Sequence, residues 1–218
     1  MKKYLLAVLA LGATMMMACN PNDSRGGAPE PTPDYTMTTD VLVGYIDYYG
    51  DYYEIDLNDF VLELDVVEFD TNDDPVSAKI LYVEYLGALD NTSGVGTFSP
   101  SGPDWMSSEG LKANTYFSGV EVEDEVYGSA YMEMDWATKS ITVAECIVDG
   151  DLTISVSGGN YTVKGMLKTS KDKLLKVDYT GELEFGDYTS EASPASLSVV
   201  KNVKIGRTPR HFSSLFKK

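Results

Sequence analysis

The densest group of side chains suited to ligand recognition is a run of tyrosines within residues 45–53. Aromatic rings stack on the flat faces of sugars, and the carboxylates interspersed in this run accept hydrogen bonds from hydroxyl groups. The alternative interpretation is a β-hairpin whose aromatic side chains pair across the strands and stabilise the sheet. The candidate ligand-binding residues are Tyr48, Tyr49, Tyr52 and Tyr53.

An acidic loop offers a second candidate site, for calcium. Residues 26–78 contain 14 Asp and Glu and no Lys or Arg, and Asp70, Asn72 and Asp74 stand at alternate positions. Oxygen ligands at this spacing suit Ca²⁺. The EF-hand pattern fails, however, because the sixth residue from Asp70 is proline and the twelfth is leucine. The alternative is a solvated turn built from turn-forming residues, so we expect no obligatory cofactor.

Few residues are suited to catalysis. The single histidine, His211, lies near the C-terminus, where a rigidly held imidazole is not expected. None of the H-E-x-x-H, G-x-S-x-G or phosphate-loop patterns occurs. With 34 acids, a pair of carboxylates at glycosidase spacing is the one enzymatic alternative. We therefore expect a protein that is not an enzyme and has no catalytic residue.

Residues 1–18 have the pattern of a signal peptide. Two lysines precede an apolar run over residues 5–17, which as a helix reaches ~20 Å and is too short for a ~30 Å hydrocarbon core. The run closes with Met-Met-Ala before Cys19, which resembles the lipobox of bacterial lipoproteins. In that family the chain is cleaved before the cysteine, which then receives fatty acyl chains such as palmitate. The resemblance implies that Cys19 anchors the protein to a membrane.

The segment after the cysteine, residues 19–40, has the composition of a tether. Residues 20–34 hold four prolines and two glycines and no large apolar side chain. Asn20 follows the cysteine, whereas an Asp there resembles the signal that retains lipoproteins in the inner membrane. We therefore expect a cell-envelope protein anchored to the outer membrane, on either its surface or its periplasmic face.

Residues 41–206 are predicted to form one all-β domain. Apolar and polar residues alternate along the chain, as in Leu152, Ile154 and Val156, and this period is typical of antiparallel sheets with one solvated face. We expect an antiparallel β-sandwich or barrel of about ten strands with at most one short helix, near residues 103–113. The strands are expected near 41–49, 52–57, 60–69, 78–88, 115–122, 126–136, 139–148, 151–157, 160–168 and 174–186, with another near 196–205.

The charge distribution limits the partners. The chain has 17 Lys and Arg against 34 Asp and Glu, so its field repels nucleic acid. The C-terminal residues 192–218, which include a basic tail over 207–218, carry six Lys and Arg and no acid. This segment is suited either to lie against the acidic domain or to reach an anionic surface.

A second resemblance covers much of residues 45–185. The hairpin I-V-D-G-D-L-T-I-S-V-S-G-G-N-Y-T-V-K-G and the later Y-T-G-E-L are similar to a group of Bacteroides-type cell-envelope lipoproteins of uncharacterised function. The tyrosine run and Gly96-Thr97-Phe98 match further signatures of that group, with Phe98 in place of its usual tyrosine. This resemblance implies an anchored β-domain and no particular activity.

These observations lead to one functional expectation and two alternatives. We expect a lipid-anchored, non-catalytic cell-envelope β-domain that acts by binding or adhesion. Its partners would be the membrane, through the N-terminal lipid, and an envelope, host or dietary glycan or protein. The first alternative is a surface lipoprotein that captures glycans with the tyrosine run. The second is a fimbrial-type structural subunit, which the short chain disfavours.

Overall fold

The computed structural model describes residues 31–38, 43–102, 111–122 and 125–190, which form fourteen strands. No helix in this part of the chain is long and apolar enough to cross a membrane. The predicted signal peptide, Cys19, the basic tail, the strand at 196–205 and most of the predicted helix lie outside the described residues. The strands are β1 Tyr35–Met37, β2 Val43–Gly50, β3 Leu57–Phe69, β4 Pro75–Ala88, β5 Gly96–Pro100, β6 Thr115–Tyr116, β7 Val120–Val122, β8 Glu125–Tyr127, β9 Ala130–Asp135, β10 Ser140–Asp149, β11 Leu152–Ser157, β12 Asn160–Thr169, β13 Leu174–Gly181 and β14 Glu184–Asp187.

Most described strands belong to two joined sheets, and the all-β prediction is confirmed. The first sheet has the order β14–β2–β3–β4–β9, and the second has the order β1–β13–β12–β11–β5. Two bridges connect them: β6 pairs with both β4 and β5, and β10 pairs with both β9 and β12. The pairing is antiparallel except at β1–β13, β14–β2 and β5–β6.

The core lies between the two sheets. Alternate residues of each strand point inward, so Leu62 of β3 and Val83 of β4 meet Leu152 and Val163 of the second sheet in one cluster. All four side chains are at most 1% exposed. Burial of such a side chain contributes roughly 1.5–3 kcal/mol, which makes this cluster the main stabilising element.

The segment predicted as a strand at 52–57 is instead the loop between β2 and β3, and that prediction is wrong. The Asp51 carboxylate accepts hydrogen bonds from the backbone N–H groups of Ile55 and Asp56, at 2.9 and 3.1 Å. Glu54 and Asp56 have φ angles of 54° and 60°, in the left-handed region that a strand does not use. The hydrogen bonds of the Asp51 side chain therefore favour a turn here, although the aromatic residues of this segment favour a strand.

Two strands arise where none was expected. β1 lies inside the predicted tether, where Tyr35–Met37 pairs in parallel with Leu175–Val177 of β13. β5 lies in a glycine-rich stretch and pairs with β11. Both strands are short, and their hydrogen-bond partners are distant in the chain. The local alternation of apolar and polar residues therefore does not predict them.

Candidate functional site

The outer face of the first sheet carries five buried carboxyl groups. They belong to Asp47 of β2, Asp59, Glu63 and Asp65 of β3, and Glu84 of β4, and each residue is at most 3% exposed. They share this face because their strand neighbours point into the core. We call these five side chains the acidic face.

The burial of this face contradicts the expectation that the polar side of each strand is solvated. Alternation shows which residues share a face, but it does not show what covers that face. A signal is present in β4, where Ile80, Tyr82 and Leu86 point outward and are at most 4% exposed. A strand that is apolar on both faces is typical of a sheet covered on both sides.

Strand register surrounds these carboxyl groups with aromatic and aliphatic side chains. Glu63 lies between Tyr45 of β2 and Tyr82 of β4, and Asp65 lies beside Ile80. Neither Glu63 nor Asp65 has a Lys or Arg partner among the ion pairs of the described residues. A carboxylate in such surroundings loses hydration without gaining a compensating charge.

Glu63 and Asp65 form a buried carboxyl pair. Their side chains share a hydrogen bond, while Oε1 of Glu63 and Oδ1 of Asp65 are buried without a hydrogen-bond partner. Burial raises the pKa of Glu63 to about 9, and the neighbouring carboxylates of Asp65 and Asp47 add to the rise. Burial also raises the pKa of Asp65 to about 7, although its hydrogen bond with Glu63 lowers it. The pair therefore retains a proton at neutral pH and leaves two acceptor oxygens for a donor.

The four candidate tyrosines do not share one surface. Tyr48 points into the core, where its ring stacks on Phe60 with centroids 5.0 Å apart and its hydroxyl donates to Oδ1 of Asn58 at 3.3 Å. Tyr49, one residue later, points to the acidic face and donates to Oδ2 of Asp47 at 3.3 Å. Tyr48 is therefore a packing residue, as the hairpin interpretation predicts.

Tyr49, Tyr52 and Tyr53 belong to a row of aromatic rings beside the acidic face. The Tyr49 ring stacks on the Tyr188 ring with centroids 5.6 Å apart. The Tyr52 ring packs edge-on against the Tyr49 ring, with centroids 6.3 Å apart. Tyr53 lies 5.1 Å from Tyr52 and 5.7 Å from Phe117, and its hydroxyl donates to the Glu84 carboxylate. The tyrosine run thus connects to acidic residues that are distant in the sequence.

A glycine in β14 permits this arrangement. β14 runs parallel to β2, with Gly186 opposite Asp47. A Cβ atom at Gly186 would lie 2.4 Å from Cε2 of Tyr188 and 3.0 Å from Oδ1 of Asp47. The missing side chain therefore makes room for both the Tyr188 ring and the Asp47 carboxylate.

The candidate calcium loop is the turn between β3 and β4. Oδ1 of Asp70 accepts the backbone N–H groups of Asn72 and Asp74 at 2.8 and 3.0 Å, and the Asn72 amide donates to Oδ2 at 3.3 Å. These backbone donors lower the pKa of Asp70. The Asp70 carboxylate thus stabilises the turn, which agrees with the turn interpretation. A group of three or more His, Cys, Asp or Glu residues placed to hold a metal is absent from the described ranges.

Comparisons of the chain with protein-family models, curated protein sequences and solved structures return no match. The resemblance to cell-envelope lipoproteins therefore stays a prediction. The acidic face is therefore identified from the geometry of the structure alone. Its Glu63, Asp65 and Glu84 were not singled out by the sequence, because exposed acids on strands are the usual interpretation of that pattern.

Proposed function

We propose that this protein is a lipid-anchored, non-catalytic binding domain of a bacterial cell envelope, and that the acidic face is its binding surface. The observation that carries the proposal is the buried Glu63–Asp65 pair, whose Oε1 and Oδ1 atoms lack hydrogen-bond partners. Buried acceptors without donors are costly, and a ligand that donates hydrogen bonds to them would remove that cost. Cys19, through the lipobox resemblance, would hold the domain at the outer membrane.

The chemistry of the acidic face favours a ligand that carries guanidinium or ammonium groups. Such a group donates several hydrogen bonds and supplies the positive charge that the Glu63–Asp65 pair does not receive from the ion pairs of the described residues. Tyr52 belongs to the aromatic cluster of Tyr49 and Tyr82 and, unlike those two buried residues, is partly exposed, so its ring can contact a cation. A basic polypeptide segment is the ligand class that supplies the hydrogen-bond donors, the positive charge and a cationic group for the aromatic contact.

Glycan capture by the tyrosine run has less support. Sugar stacking needs exposed ring faces, but Tyr48 points into the core and Tyr49 is 3% exposed. Tyr52 and Tyr53 contact each other edge-on at an interplanar angle of 90°, so they do not form a flat platform.

A peptide-binding assay tests the proposal. Because residues 192–218 carry six Lys and Arg that would compete with an added cation, the assay uses the full chain with those six replaced by Gln, the tail-neutral variant. The probe is a fluorescent octa-arginine peptide, and neutral oligosaccharides serve as competitors. We expect anisotropy to report binding that weakens at least tenfold when Glu63→Gln and Asp65→Asn are added.

The matched control replaces two acids outside the acidic face, Asp178→Asn and Glu182→Gln, which are partly or fully exposed. This control should bind the probe as the tail-neutral variant does. Equal weakening by both pairs would mean that only net charge attracts the peptide. Absence of binding, or displacement of the peptide by neutral oligosaccharides, would refute the proposed ligand class.

A further inference from the structure

Tyr35 of β1 and Tyr131 of β9 form a pair of phenol rings in contact, away from the acidic face. Their ring centroids lie 4.3 Å apart at an interplanar angle of 30°. Tyr131 is fully buried in the core, whereas Tyr35 packs against that core and is half-buried. Tyr35 is therefore the member of the pair that a reagent in solution can reach, and the ring contact lets an electron pass to it from Tyr131.

Each phenol of this pair donates a hydrogen bond to a carboxyl group. The Tyr131 hydroxyl donates to Oε1 of Glu133 at 2.6 Å, and the Tyr35 hydroxyl donates to Oε1 of Glu145 at 2.9 Å. A phenol that loses an electron becomes a strong acid and gives its proton to a neighbouring acceptor. Two acceptors therefore lie where the protons of an oxidised pair would go.

Glu145 is held in its ionised form beside the pair. The Thr169 hydroxyl donates to its Oε2 at 2.6 Å, and Nζ of Lys173 lies 3.3 Å from its Oε1. Burial by itself raises the pKa of Glu145, but the hydrogen bonds from Thr169, Tyr35 and Lys173 outweigh this effect and hold the pKa below its usual value. Glu145 is therefore a carboxylate at neutral pH and can accept a proton.

The pair lies where a short terminal strand meets the rest of the domain. β1 has three residues, pairs in parallel with β13 and buries Met37 completely. Tyr131 belongs to β9, which is a strand of the other sheet and is distant in the chain. A covalent bond between the two rings would therefore fasten β1, the described strand that follows the predicted anchor Cys19, to the body of the domain.

We propose that Tyr35 and Tyr131 couple to a dityrosine when a peroxide oxidises the protein, a modification that is independent of the proposed binding function. Each ring loses one electron and its phenolic proton; the electrons reduce the O–O bond of the peroxide, and the protons pass to Glu133 and Glu145. The electron of Tyr131 leaves through Tyr35. The two radicals join through ring carbons next to the C–O carbons, and the hydrogens of those carbons move to the oxygens. The product is two phenols joined by a C–C bond, with two hydrogen atoms fewer than before.

Persulfate with photoexcited tris(bipyridine)ruthenium(II), which withdraws single electrons, tests the coupling in the full chain. Trypsin places Tyr35 in the fragment 26–79 and Tyr131 in the fragment 113–139, because neither fragment has an internal Lys or Arg. Mass spectrometry of the monomeric protein should detect the two fragments joined, at two hydrogen masses below their sum. The yield should fall at least tenfold in Tyr35→Phe and in Tyr131→Phe, which keep the rings but lack the phenol oxygens.

Tyr188→Phe is the matched control. Tyr188 stacks on Tyr49 with centroids 5.6 Å apart and lies in the fragment 177–201, so this variant removes a different tyrosine pair. It should join the fragments 26–79 and 113–139 in the wild-type yield. Absence of the joined fragments from the wild type, or an undiminished yield in Tyr35→Phe, would overturn the proposal.

Glu133→Gln tests the route of the proton, because it removes the carboxylate that accepts the hydrogen bond of Tyr131. The joined fragments should form at least threefold more slowly in this variant than in the wild type. An unchanged rate would overturn the role of Glu133 as proton acceptor.

Discussion

Replacement of Glu63 by Gln should change the pH dependence of stability. Burial raises the pKa of Glu63 to about 9 from a usual 4.5, so between these values the folded protein holds a proton that the unfolded chain has released. Stability must fall as pH rises through this window, because the folded state binds more protons than the unfolded state. Glu63→Gln keeps the shape of the side chain and removes this titration.

The size of the effect follows from the same pKa. At pH 7 the pKa of unfolded Glu63 lies 2.5 units below the pH, and at 1.36 kcal/mol per unit the protonation of Glu63 costs about 3 kcal/mol. The cost is close to zero at pH 4. The difference in unfolding free energy between Glu63→Gln and the wild type should therefore shift by about 3 kcal/mol in favour of the variant between pH 4 and pH 7.

Urea denaturation of both proteins at pH 4, 5, 6 and 7 measures this shift. Asp178→Asn serves as the control, since Asp178 lies on the second sheet with its side chain 46% exposed and paired with Lys164. The control should differ from the wild type by less than about 0.5 kcal/mol at every pH. A constant difference between Glu63→Gln and the wild type across the series would refute the burial of an uncompensated carboxyl group at this position.

Three other changes test separate parts of the molecule. Cys19→Ala should abolish incorporation of labelled palmitate and release the protein from membranes, and a labelled variant would contradict the lipobox resemblance. Asp70→Ala should lower the melting temperature equally in calcium and in EDTA, because it removes acceptors for the N–H groups of Asn72 and Asp74; a fall confined to calcium buffer would restore the metal site. Gly119→Ala should cost about 1–3 kcal/mol in chemical denaturation, since its Cβ would lie 2.3 Å from the Ser129 carbonyl oxygen and 2.6 Å from Cys146 Cβ, whereas Ser157→Ala at an exposed site should be near neutral.

Much of the fold is predictable from local pattern. The alternation over β11, β12 and β13 places Ile154, Val163 and Val177 in the core, as the structure does. Side-chain direction alternates at every residue of a strand, so a period-two sequence determines which residues share a face without knowledge of the partner strand. The same principle separates Tyr48 from Tyr49, which point to opposite faces of β2.

What covers each face depends on the tertiary structure alone. The acids of β3 alternate with core residues as the acids of a solvated strand do, yet Glu63 and Asp65 are 1% exposed. The parallel pairing of β14 with β2, which brings Tyr188 to Tyr49, joins segments more than a hundred residues apart. Local sequence specifies the direction of a side chain, whereas its solvation and its pKa depend on chain segments that only folding brings together.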